Sequence, residues 1–183
     1  MSGTNNMDAT SKYQHSLPVS SDEMMAQLDQ WQIQYERFDH VALRTVEDAK
    51  TVQCLFLSSE QGGGHIKNLY LRDHKKKNIL LVTEQDRKID LKALPALLGT
   101  GQLSFGSTDR LLENLGVRPG AVTPLSMITG VMNGVSIFID SDLRRCRKLY
   151  VHPLVNDRTL AIEVDGLDAF FSKIGVEPTW LTF

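Results

Sequence analysis

From Ser20 onward the chain alternates between helical and strand periods. Ser20 followed by Glu23 has the spacing of a capping box, and Met24, Leu28 and Trp31 then share one helical face. QIQYERFDH follows as a strand. Thr45 is placed to cap a helix through VEDAKTVQCLFLS, whose Ala49, Val52 and Phe56 are helically spaced. KNLYLRD and NILLVTE, joined by HKKK, form a predicted hairpin. The second strand is apolar on both faces, which predicts a position inside the sheet.

IDLKALPALLG predicts a short helix capped by Asp90, strained by Pro95 wherever that residue falls beyond the first turn. SFGSTDRLLENLG carries a Ser107 cap, a Leu111, Leu112 and Leu115 stripe, and a terminating Gly116. Asn133-Gly134 signals a tight turn into the strand VSIFID, and RTLAIEV is another strand. Asp165 is the expected cap of LDAFFSKIG, where Leu167, Phe170, Phe171 and Ile174 line one face. WLTF is an expected edge strand. Strands and hairpins outnumber βαβ units. The expected fold is α+β, a single mixed-sheet domain with surrounding helices over residues 21–183. Residues 1–20 are polar, with no hydrophobic run, and are expected to form a loose tail.

Composition changes this picture little. With 183 residues the chain can bury one sizeable core, and its net charge of −2 argues against a generic nucleic-acid binder while leaving room for a local basic patch. Neither a signal peptide nor a stretch of about 18 apolar residues is present, so a cytoplasmic protein without membrane contact is expected. Cys54 and Cys146 are far apart, outside any CxxC pair, and read as buried reduced thiols.

The chemistry-bearing stretches are few. In GGGHIKNLYLRD, Lys67 begins the strand face that carries Leu69 and Leu71, while Asn68, Tyr70 and Arg72 share the other. Either its stem snorkels to solvent or the ammonium reaches a pocket, with the preceding glycines admitting a ligand closely. GAVTP, Gly120 to Pro124, is either a plain turn or a loop whose N–H groups face a cavity and stabilise an oxyanion. His152 and His65 are each either structural or functional. HKKK with Arg72 is either a solvated hairpin tip or a phosphate-contact patch. HExxH, Cys/His clusters, G-x-S-x-G, GxGxxG and P-loop motifs are all missing. Neither a metal, a cofactor nor a side-chain nucleophile is therefore expected.

Five pieces in order, KNLYLRD, DRKIDLKAL, LSFGSTDRL, LGVRPGAVTP and HPLVNDRT, resemble the YbaK-like aminoacyl-tRNA deacylases. The resemblance is nearest to their free-standing branch acting on Ala-tRNA(Pro), and it spans about residues 22 to 183. It implies a trans-editing hydrolase that removes alanine wrongly esterified to tRNA(Pro), by water attack assisted by the substrate's own ribose hydroxyl. Carried over by resemblance, Lys67 holds the tRNA 3′ end and the N–H groups of Gly120 and Ala121 hold the ester carbonyl. Asn68, Val122, Thr123, Pro124, His152 and Thr159 shape the substrate pocket. Ala121 stands where the family more often has Ser, and TPL where it has TPF.

Arg72, Lys75, Lys76 and Lys77 are the expected contacts to the acceptor end of tRNA(Pro). Docking on prolyl-tRNA synthetase is a further open partner, and nothing points to DNA. Two alternatives stay open: a deacylase of Cys- or Ser-tRNA, and a non-catalytic tRNA- or synthetase-binding module on the same fold.

Overall fold

The computed structural model describes residues 7–183. Its elements are α1 (Ser21–Gln30), β1 (Tyr35–Asp39), α2 (Val46–Val52), β2 (Gly63–Asp73), β3 (Asn78–Glu84), α3 (Leu94–Leu98), β4 (Leu103–Phe105), α4 (Thr108–Leu115) and α5 (Met127–Gly130). They continue as β5 (Ser136–Asp140), β6 (Lys148–Val151), β7 (Arg158–Ile162), α6 (Val164–Lys173) and β8 (Thr179–Leu181). The mixed sheet runs β1-β7-β6-β2-β3-β5-β8, with β4 also paired to β2.

Alternation along β3 explains how one sheet supports two cores. Leu80 and Val82 enter a large cluster with Met24, Leu28, Leu115 and Phe170. Ile79 and Leu81 enter a smaller one with Leu71, Leu94, Leu98 and Leu181. All four β3 side chains are buried, each worth about 1.5–3 kcal/mol of transfer free energy. The apolar run therefore does mark an interior strand.

Capping signals were legible. Ser20 and Glu23 form the full capping box of α1, Thr45 and Asp48 that of α2, and Gly116 ends α4 in the left-handed region. Four local expectations need correction. α2 stops at Val52, because Phe56 turns extended to stack on Tyr150, with ring centroids 4.4 Å apart, and Leu57 N–H donates to the Tyr150 hydroxyl. That break leaves Cys54 exposed, whereas Cys146 is half-buried and its thiol is pushed up by burial. α3 begins after Ala93, not at Asp90, so Pro95 falls in its first turn and strains nothing. Glu163 occupies the N-cap position of α6, and Asp165 sits inside its first turn.

The expected tail also differs from Met7 onward. Ser11–Ser16 is a 3-10 turn, Ala9 is buried, and the Ser11 N–H and hydroxyl donate to the Asp157 carboxylate at 2.9 and 2.7 Å. Ala9's carbonyl accepts from Asn156 N–H. Residues 1–6 of that stretch lie outside the described residues.

β2 organises the sheet. It pairs with β3 along Ile66–Arg72 on one edge; on the other it meets β6 over Gly63–His65 and β4 over Leu71–Asp73. The glycines before Lys67 make room for protein, not ligand. A Cβ on Gly63 would overlap the Leu57 carbonyl, and one on Gly64 would overlap Leu149. Gly63→Ala is therefore expected to destabilise the fold by about 2–3 kcal/mol through backbone displacement at Leu57, checked by denaturant unfolding. A change under about 0.5 kcal/mol would contradict the close approach.

Candidate active site

Between its β6 and β4 contacts, the second edge of β2 is unpaired over residues 66–69 among the described strands. A cleft of about 340 Å³ opens there. β2 contributes Ile66, Lys67 and Asn68, the end of β6 leads to His152, β7 contributes Thr159, and the loop before α5 contributes Gly120 and Val122.

Lys67 answers its own puzzle. It shares a face with Leu69 and Leu71, and its ammonium donates to the Arg87 carbonyl instead of escaping to solvent. The Arg87 guanidinium is itself held by Asp140, which is 1% exposed, and by Asp142 at 2.6 Å. The lysine is thus steered into the cleft by a carbonyl whose residue is fixed by an ion pair. Nothing in the sequence linked Arg87 to Lys67, because the contact spans twenty residues.

Arg118, Pro119, Gly120 and Ala121 form a tight turn. Ala121 N–H donates to the Arg118 carbonyl at 3.0 Å, with Pro at the second position and Gly120 at φ +92° in the third, as a type II turn requires. This corrects the expected oxyanion donors. Ala121 spends its N–H inside the turn and its side chain is fully buried. Gly120 and Val122 line the cleft, and their N–H groups have no hydrogen-bond acceptor among the described residues. Thr123 and Pro124 lie behind the lining. Both are buried, with Pro124 opening a 3-10 turn that Thr123 caps.

Asn68, Val122, His152 and Thr159 do line the cleft. Asn68 Oδ1 is buried without a partner. His152 Nδ1 lies 2.7 Å from the Arg158 carbonyl, and Thr159 Oγ1 lies 2.8 Å from His40 Nε2. Burial pushes the His152 imidazole down to about 4, so it is neutral at pH 7. His65 also lines the cleft, where it stacks on Tyr150 at 5.2 Å and donates to the Leu57 carbonyl. Lining residues that sequence reasoning missed include Leu43, Arg44, Phe56, Gln85 and Tyr150, none of which belongs to a motif.

The basic tip lies elsewhere. Lys75, Lys76 and Lys77 are exposed in the turn after β2, and Arg72 is half-buried beside them, with Nε 3.4 Å from the Lys76 carbonyl. Asp73 lies six steps along β2 from Lys67, about 20 Å.

A family model described as the aminoacyl-tRNA editing domain matches residues 40–170. The chain belongs to that family. It is 32% identical over 153 residues to the prolyl-tRNA editing protein ProX of Acetoanaerobium sticklandii, covering 83% of this chain and 90% of that protein. It is 33% identical over 175 residues to prolyl-tRNA synthetase associated domain-containing protein 1 of Mus musculus, covering 90% and 99%. A crystal structure of a candidate trans-editing enzyme for prolyl tRNA synthetase superposes with a TM-score of 0.63 at 18% identity, covering 88% of this chain and 95% of that one. This editing-domain match agrees with the YbaK-like resemblance and with the α+β mixed sheet. No helix among the described residues is long and apolar enough to cross a membrane.

The depressed His152 imidazole carries a stability consequence. The unfolded state takes up this proton near 6.5 and the folded state only near 4, so stability falls as pH drops through that window. The loss across the window is about 3 kcal/mol. His152→Gln should flatten the unfolding free energy between pH 6.5 and 4, read by urea titration. An unchanged slope would show the imidazole to be solvated.

Proposed function

We propose that the cleft hydrolyses the ester joining alanine to tRNA(Pro), freeing alanine and intact tRNA. The observation that carries the reading is that Lys67 lines one cleft, along the open edge of β2, with Gly120 and Val122, whose N–H groups have no acceptor among the described residues. Lys67 exchanges the Arg87 carbonyl for a phosphate or ribose oxygen of the terminal nucleotide, a charge-assisted contact that fixes the 3′ end. The two N–H groups receive the ester carbonyl oxygen and stabilise the negative charge it gains. Water attacks, positioned by the substrate's own ribose hydroxyl, and the leaving ribose oxygen recovers a proton.

The need for such a sieve is physical. A site shaped for proline rejects the smaller alanine by only about 1–3 kcal/mol, so errors survive unless a second site destroys them. The relatives named for prolyl-tRNA editing support tRNA(Pro) as the carrier. Arg72 and Lys75–Lys77, about 20 Å along β2 from Lys67, serve the acceptor-stem phosphates while the unpaired 3′ end reaches the cleft.

The test compares alanyl-, prolyl- and cysteinyl-tRNA(Pro). Alanine alone should be released, and Lys67→Ala should lower kcat/KM about 100-fold while leaving the melting transition within a few degrees, as expected for a lost charge-assisted bond of about 3 kcal/mol. Preferential release of cysteine would keep the chemistry and replace the substrate, whereas no release from any ester would leave a binding module. Replacing Lys75, Lys76 and Lys77 together by Ala should weaken tRNA binding and flatten its salt dependence by about 2 in log–log slope, with single-turnover chemistry at saturation unchanged. An unaltered salt slope would remove the tip from the interface.

A further inference from the structure

On the cleft wall formed by His152 and Thr159, the protons are already committed. His152 Nδ1 faces the Arg158 carbonyl, which can only accept, so Nδ1 carries the proton and Nε2 is left as a bare acceptor. His40 Nδ1 faces the Val41 carbonyl at 2.7 Å, so its proton also sits on Nδ1. In the neutral ring its Nε2 then accepts, and the Thr159 hydroxyl donates to it. The hydroxyl's lone pairs remain for whatever enters the cleft. Thr159 is 4% exposed, so bulk water does not serve them freely.

The two acceptors are neighbours. Val151 pairs with Leu160 across β6 and β7, and one step further along that register sets His152 opposite Thr159. The His40 and His152 rings lie 6.3 Å apart. Asn68 Oδ1, buried and unpartnered, adds a third acceptor to the lining. The donors of the cleft, Lys67 and the loop N–H groups, belong to β2 and the Gly120 turn, whereas the wall of His152 and Thr159 presents acceptors, and such a wall is complementary to a group that has only donors. An ammonium is such a group.

We propose that this wall binds the α-ammonium group of the aminoacyl ester, and that His40 is the positioning residue that keeps the Thr159 proton turned away from the cleft. The inference rests on the editing reading, since an ester in the cleft carries its α-ammonium beside the carbonyl held by Gly120 and Val122. An α-amino group is largely protonated at neutral pH. The neutral state of His152 is the one the wall requires. His40 touches no substrate and acts through Thr159.

The probe is a pair of esters on the same tRNA(Pro), alanyl and lactyl, the second replacing the ammonium by a hydroxyl at nearly equal size. Each enzymatic rate is divided by that ester's spontaneous hydrolysis rate. The normalised preference for alanyl should be about 10-fold or more, the low end for a charge-assisted hydrogen bond. Thr159→Val and His40→Phe should each bring the preference close to 1, whereas Thr159→Ser should retain it. Circular dichroism checks the fold, and His40→Gln replaces His40→Phe if the latter unfolds. A preference that is absent from the wild type, or that survives both substitutions, overturns the proposal while leaving editing intact. Equal loss of both esters in Thr159→Val also overturns it, because the hydroxyl would then act on the ester carbonyl itself. If neither ester is hydrolysed by the wild type, the editing reading and this inference fall together.

Discussion

The structure depends on one strand being shared unequally. β2 gives one edge to β3 along most of its length and divides the other between β6 and β4. Between those partners its backbone runs unpaired, and the cleft is the space that results. The division begins at Gly63 and Gly64, which let β2 come against Leu57 and Leu149 before it leaves β6. A side chain there would push the strand outward and take Lys67 with it. The open edge is also why a lysine can occupy a core-facing strand position: its stem shares the face of Leu69 and Leu71, and its ammonium finds a carbonyl at the cleft.

Around that gap the polar groups are sorted by sign. Lys67 and the loop N–H groups of Gly120 and Val122 offer donors, and His152, Thr159 and Asn68 offer acceptors. In the proposed reading the donors meet the ester and the tRNA, and the acceptors meet the amino group. Leaving such groups unmatched costs about 1–3 kcal/mol for each that is buried. Among the described residues the buried oxygens of Asn68, Thr83, Thr100 and Asn156 lack partners, and two of these four border the cleft region: Asn68 in its lining and Asn156 beside Gly120. Packing on the two faces of β3 supplies the stability against which this is set.

Much of the scaffold was legible because local signals and tertiary contacts agreed. Ser20, Thr45 and Ser107 cap as their spacing implies, and the two-faced apolarity of NILLVTE marks an interior strand. Phe56 shows the opposite case, where stacking on Tyr150 overrides a helical period. At the site, Lys67 and Gly120 could be found because their motifs are local. Ala121 could not be judged without seeing that RPGA closes a turn and consumes its N–H. Arg87 and His40 were invisible, since each acts through a partner distant in sequence, twenty residues away for Arg87 and 119 for His40.

The central claim is that the open edge of β2 and the Gly120 turn together hold an aminoacyl ester. An amide-linked, hydrolysis-resistant alanyl analogue of the terminal adenosine, titrated into ¹⁵N-labelled protein, tests it directly by nuclear magnetic resonance. The account predicts that the amide signals of Gly120 and Val122 shift furthest in their loop, with smaller changes at Ala121, whose N–H stays in the turn. Shifts led by Ala121, or gathered away from β2 and this loop, would contradict it.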